Sequence, residues 1–203
     1  MYIVIEGQDG TGKSTQVELF AEYFRKKNIP VLTLHEPDGE LPQAHDLHDL
    51  ILVKGKDYAL EPLTNVALFT AARLELWHKL AEPILKKSGV VISARNWWST
   101  LAYQGYGEGV SRSKIIRLTH ELLPKAYVTP DKSVILTLTD EERKKREKNR
   151  GKALETFEIK DSAFQTKVNN AYLSIAKNLN IPIKDASGTI DEIFENLKTL
   201  FQI

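Results

Sequence analysis

GQDGTGKS, residues 7–14, is the stretch that decides the fold. It matches G-x-x-x-x-G-K-[ST], and its surroundings supply the context that pattern requires. Tyr2–Ile5 before it reads as a strand, while Val17, Phe20, Ala21 and Phe24 after it repeat at helical spacing. Strand, glycine-rich turn and helix start, in that order, make an anion cradle. Glycines let backbone N–H groups curl around phosphate oxygens, and the helix N-terminus adds partial positive charge. The cradle comprises Gly7, Gln8, Asp9, Gly10, Thr11, Gly12, Lys13, Ser14 and Thr15. Lys13 is expected to reach the β- and γ-phosphates of a bound nucleotide, and the Ser14 hydroxyl to bind Mg²⁺.

Outward from this unit, short apolar runs alternate with helical patterns. Val31–Leu34, Val90–Ile92, Val134–Leu138 and Ile181–Ile183 read as further strands. The first helix should stop near Asn28, because Pro30 cannot continue it. A second should run from Gln43 to about Val53, and Glu61-Pro62 opens a third reaching Lys87, with a kink at Pro83. Ser111–Leu123, Lys160–Asn178 and Ile190–Leu200 complete the helices. The alternation predicts an α/β P-loop NTPase fold, a five-stranded parallel sheet with helices on both faces. Nearly continuous apolar strands agree, since parallel strands are covered on both sides.

At 203 residues the chain fits one domain, 1–203. A formal charge of +1 offers no bulk electrostatic case for nucleic acid or membrane binding. The absence of cysteine removes disulfide frameworks and thiolate zinc sites and suits a reducing, cytoplasmic setting. No run approaches the ~20 apolar residues of a membrane span.

Several motifs have plainer readings. There is no N-K-x-D base-reading motif. In VILTLTDEE, residues 134–142, Thr139 and Glu142 have capping-box spacing, so the acidic run reads as a helix start. AHDLHD, residues 44–49, spaces His45 and His48 like metal ligands, but Asp46 and Asp49 favour a solvated helix face. Trp97 and Trp98 read as one core and one partly exposed side chain rather than a base-stacking pair.

Taken together, Asp9 in the cradle, Glu36-Pro37-Asp38-Gly39, LFTAAR (68–73), STLAYQG (99–105) and the arginine-rich run reaching Gly151 resemble the thymidylate kinase family. The resemblance spans nearly the whole chain in order. It implies phosphoryl transfer from ATP to dTMP with Mg²⁺, and a homodimer. It places Phe69 against the thymine, Arg73 on its edge, and Ser99, Thr100 and Gln104 where the base is read. Tyr103 would pack the deoxyribose, Arg95 would grip the dTMP phosphate, and Asp9 would accept from the sugar 3′-OH, with Glu36 a second acid nearby. Because the cradle carries Gly10 where some members have an arginine, the resemblance implies a catalytic arginine in a lid, about 146–157, with Arg146 and Arg150 the candidates. Preplaced cations of this kind stabilise charge spread over the transferring oxygens.

The chain departs from the family pattern at four places. Ala94-Arg95 stands for Asp-Arg, and His35-Glu36-Pro37-Asp38-Gly39 for Arg-Glu-Pro-Gly-Gly. His48 stands for an arginine, and Glu155-Thr156-Phe157-Glu158 for an Asp-Arg-Phe-Glu-like lid exit. These departures keep two alternatives open: a nucleotide-binding paralogue with impaired or no turnover, and a kinase of another nucleoside or nucleotide acceptor.

Overall fold

A computed structural model describes residues 1–37, 41–149, 157 and 160–203, with only the backbone described at 55, 56, 144 and 147–149. Five strands, β1 (Tyr2–Gly7), β2 (Val31–His35), β3 (Val90–Ala94), β4 (Lys132–Thr137) and β5 (Ile183–Asp185), form one parallel sheet in the order β2-β3-β1-β4-β5. The doubly covered α/β sheet expected from the sequence is present. Its last strand starts two residues later than expected. Asn180 adopts the left-handed conformation, and the Ile181 N–H still bonds back to Ala176, so Ile181 belongs to the helix exit rather than the ladder.

Strand alternation divides the side chains between two cores. Tyr2 and Val4 of β1, with Val91 of β3 and Ile135 of β4, face a cluster that includes Phe69, Tyr103 and Tyr172. Ile3 and Ile5, with Val90, Ile92 and Ala94, face a cluster built on Val17 and Phe20 of the Lys13–Arg25 helix. The alternation puts Ala94 on the side of the phosphate-cradle helix and sends Arg95 to the opposite side.

The long helical stretch after Pro62 is not one regular helix. Pro62–Leu76 is α-helical, Trp77–Ala81 forms a π-helical turn, and Glu82–Lys86 resumes the α-helix. The Glu82 N–H bonds five residues back to Trp77. The irregularity expected at Pro83, which has no N–H for the α-ladder, is taken up as a wide turn just before it. Similar π turns occur at Asp49–Val53 and Leu101–Gly107. The acidic run does start a helix, Asp140–Asn149, with the Glu142 N–H donating to Thr139 Oγ1 at 3.3 Å. No described helix is long and apolar enough to cross a membrane.

Candidate active site

The cradle joins β1 to the Lys13–Arg25 helix, and three of its glycines, Gly7, Gly10 and Gly12, have positive φ. Gly7 has φ 137°, and a Cβ there would lie 2.3 Å from the Leu136 carbonyl oxygen. Gly12 caps the helix at φ 86°, with no side-chain cap and no acidic residue in the first turn. That leaves the helix N-terminus open for an anion. Lys13 is buried and folds back over the turn, donating to the Gln8 carbonyl at 2.8 Å with Asp9 Oδ1 at 4.0 Å. Ser14 and Thr15 are exposed. Gln8 is anchored from the far side, its amide donating to the Gln165 backbone carbonyl at 2.8 Å.

Arg95 leaves the end of β3 in the left-handed conformation, φ 78°, which costs a non-glycine residue roughly 1–2 kcal/mol. Its guanidinium is held from several sides. One nitrogen donates to Asp9 Oδ1, and the other to Ser99 Oγ at 3.0 Å and Tyr172 OH at 3.2 Å. Burial acts to lower its pKa, but Asp9, Tyr103 and Tyr172 outweigh it and hold the group charged. The Tyr103 hydroxyl donates to the second Asp9 oxygen at 2.9 Å. Burial and Asp9 push that phenol up, so it stays a donor. Beneath this arrangement lies Glu6, fully buried, which accepts from the Ser99 hydroxyl and the Tyr172 hydroxyl.

A second buried network lines the neighbouring wall. Arg73 donates from Nε to Glu36 at 2.9 Å, and from its other nitrogens to Thr100 Oγ1 at 2.7 Å and the Asn96 carbonyl at 3.1 Å. Glu36 also accepts from Tyr127 OH at 2.5 Å and Ser93 Oγ at 3.2 Å. Burial pushes the Glu36 carboxyl above its ordinary value, while Arg73, Tyr127 and Ser93 pull it down. Phe69 lies beside Arg73, 5.4 Å from its guanidinium, and 6.3 Å from the Phe157 ring. Phe157 also meets Tyr103 at 5.9 Å, and its carbonyl accepts from Gln165. Gln104 is buried and donates to Glu108 at 3.2 Å.

Comparison with known proteins gives a consistent answer. A family model described as thymidylate kinase matches residues 5–197. The chain belongs to the thymidylate kinase family. It is 34% identical to the thymidylate kinase of Mesoplasma florum over 200 residues, covering 98% of this chain and 93% of that protein. It is also 34% identical to that of Chlamydia caviae, covering 87% and 84% respectively. The crystal structure of thymidylate kinase from Ehrlichia chaffeensis superposes with a TM-score of 0.75 at 28% identity, covering 100% of this chain and 98% of that one.

Against the thymidylate kinase pattern, the structure gathers Asp9, Lys13, Arg95, Ser99 and Tyr103 around one centre, with Phe69, Arg73, Thr100 and Glu36 on the adjoining wall. It changes what some of them touch. The Ser99 hydroxyl is turned onto Glu6 and Arg95, because Glu6 offers buried acceptor oxygens on that side. Thr100 accepts from Arg73, and the Glu36 carboxyl faces Arg73 rather than the cradle. Arg146 is directed to the Ala186 carbonyl at 2.8 Å and to Glu142 at 3.4 Å. Arg150 and most of the expected lid lie outside the described residues, as do Asp38 and Gly39. Ala94 is 3% exposed within the apolar cluster under the cradle helix. His45, His48 and Asp49 bring ligand atoms within 4.8 Å of one another, with Asp49 partnering both imidazoles on a partly exposed face.

Glu6, Tyr172, Tyr127 and Gln165 were not anticipated from the sequence. The single usable signal was Glu6 itself, an acid inside an otherwise apolar buried strand.

Proposed function

We propose that this chain transfers the γ-phosphoryl group of ATP to dTMP, giving ADP and dTDP. The observation that carries the reading is Asp9, whose Oδ1 contacts Arg95 and lies 4.0 Å from the Lys13 ammonium. One carboxylate thus joins the cation of the donor cradle to a cation at the end of β3. Nothing in the comparisons favours a different acceptor or a protein without turnover. In the reaction, an oxygen of the dTMP phosphate forms a bond to Pγ while the bond from Pγ to the β–γ bridging oxygen breaks, and ADP carries that electron pair away. Lys13 and the open helix N-terminus hold the donor phosphates, and Arg95 holds the acceptor phosphate in line. Phe69 and Tyr103 supply apolar faces for base and sugar, Arg73 and Gln104 directional contacts, and Arg146 or Arg150 a further cation from the lid. Asp9 serves the sugar hydroxyl.

The residues present fit Mg²⁺. Ser14 is exposed at the helix start, and its hydroxyl would hold the ion together with phosphate oxygens and water. When bound it supplies neutralisation of phosphate charge. The homodimer belongs to the same reading: Leu63 and Ile116, 42% and 40% exposed, offer apolar surface on the helices beside the acceptor wall. The deciding experiment is an ADP-coupled assay with ATP, Mg²⁺ and a panel of nucleosides and nucleoside monophosphates. The expected result is turnover with dTMP above every other acceptor. No ADP release above that of Lys13→Ala with any acceptor would remove the reading.

Ala94 bears on the rate. Its side chain faces the cradle helix, where the family's usual acid would stand, and we read its methyl group as lowering turnover. Ala94→Asp should raise kcat, by up to about 10²-fold, the scale of one well-placed electrostatic contact, and should do so most at low Mg²⁺. An unchanged or slower enzyme would show that this position does not limit the reaction.

A further inference from the structure

Arg95 reaches the acceptor side in a backbone conformation that disfavours arginine, so something must keep both backbone and guanidinium in place. The convergence on Glu6 supplies it. Glu6 Oε1 accepts from the Asn96 N–H at 2.7 Å and the Ser99 N–H at 3.1 Å, which pins the two residues that bracket the turn out of β3. Oε2 accepts from its neighbour, the Gly7 N–H, at 3.1 Å, at the entrance to the phosphate cradle. Both oxygens therefore accept from backbone N–H groups, which can only donate.

The remaining contacts fix two hydroxyl groups. Ser99 Oγ lies 3.0 and 2.9 Å from the two Glu6 oxygens, Tyr172 OH lies 3.1 Å from Oε2, and the hydroxyls are 2.9 Å apart. Each hydroxyl has one proton. Whether both protons point at Glu6, or Ser99 donates to Tyr172 and Tyr172 to Glu6, neither points at Arg95. The lone pairs of both oxygens are left for the guanidinium, which can only donate. The chain Arg95 to hydroxyls to carboxyl runs in a single direction and is closed to water at its Glu6 end, where exposure is 0%.

We propose that Glu6 is a positioning residue for the acceptor-phosphate grip: it orients the Ser99 and Tyr172 hydroxyls toward Arg95, and so holds the guanidinium where a nucleoside monophosphate presents its phosphate. The proposal rests on the reading of Arg95 as that grip. Glutamine at position 6 inverts the arrangement. Its amide nitrogen must face either the Asn96 and Ser99 N–H groups or the Gly7 N–H, and on the hydroxyl side it donates where Glu6 accepts. With one acceptor oxygen left, a hydroxyl that faces the amide nitrogen must turn its proton away from position 6, and the guanidinium has no acceptor to offer it.

The test compares dTMP with thymidine, which lacks the phosphate, by calorimetric binding to the wild type, Glu6→Gln and Arg95→Ala. Glu6→Gln should weaken dTMP about tenfold, the scale of a charge-assisted hydrogen bond, while thymidine changes by less than about twofold. In turnover, the KM for dTMP should rise with the KM for ATP unchanged. Equal losses for dTMP and thymidine, or no loss for either, would overturn the proposal, because a residue that only supports packing does not distinguish ligands by their phosphate. If Arg95→Ala also leaves the difference between dTMP and thymidine intact, the reading of Arg95 falls and the proposal with it. If Arg95→Ala removes that difference and Glu6→Gln does not, the proposal alone falls. Should Glu6→Gln not fold, Tyr172→Phe decides: removal of one hydroxyl acceptor should weaken dTMP roughly threefold and leave thymidine unchanged, and any other pattern counts against Glu6.

Discussion

Lys13→Ala should lower kcat by about 10³-fold, the upper end of what one preorganised charge-stabilising contact supplies, while dTMP still binds. The side chain is the cation of the cradle, buried to 7% exposure and held against the Gln8 carbonyl at 2.8 Å. It is thus placed before any nucleotide arrives and needs little reorganisation as charge moves onto the leaving diphosphate. Its hydrogen bond to the Gln8 backbone carbonyl contributes roughly 1 kcal/mol net to stability. The variant should therefore melt within a few degrees of the parent, and calorimetry should report dTMP affinity near that of the parent, since Arg95 and the acceptor wall are untouched. Turnover within tenfold of wild type would mean that the cradle does not hold the reacting phosphates.

Glu36→Ala should destabilise the fold by about 3–5 kcal/mol, the usual cost of leaving one partner of a buried ion pair alone. Arg73 is 2% exposed and donates from Nε to Glu36, and removal of the carboxyl also strands the Tyr127 hydroxyl. Glu36→Gln keeps an acceptor oxygen and the volume, so it should lose less. Urea unfolding of the three proteins separates these cases. A loss below about 1 kcal/mol for Glu36→Ala would place the pair among the weak, solvent-screened ones. In surviving protein the KM for dTMP should rise, because the guanidinium proposed to meet the base has lost the partner that orients it.

The contrast between these two residues explains how far the sequence could be read. Lys13 acts through its immediate neighbours: the motif, the strand before it and the helix after it all lie within one short stretch, and spacing alone carried the geometry. The alternation of strands and helices was legible for the same reason, as was the cap at Thr139. Glu36 was identified as an acid near the site, but its direction was not, because its partners come from positions 73, 93 and 127. Ser99 shows the same limit more sharply. Its place after β3 follows from the sequence, but the hydroxyl is turned by Glu6 and Tyr172, which lie 93 and 73 residues away. Local pattern fixes which residues reach the end of the sheet; only packing fixes which way a short polar side chain points once there. Ala94 lies between these cases: strand alternation places it on the cradle side, while its effect on rate belongs to chemistry.

The π-helical turn at Trp77–Ala81 can be restated as a shift of phase. Buried positions Val66, Phe69, Arg73 and Leu76 step by three and four residues, and within the turn the Glu82 N–H reaches back five residues to Trp77. The turn thus behaves as one residue added to a helix and absorbed without breaking it. Deleting a residue there would restore a regular ladder, but the two halves would rotate relative to each other by about 100°. The C-terminal half cannot follow freely: a side chain on Gly89 would already touch Ile84 and the Pro30 carbonyl at 2.7 Å. The half carrying Phe69 and Arg73 would have to turn instead. The facing of the wall that carries Phe69 and Arg73 is therefore set by the count of residues at a turn that contains neither of them.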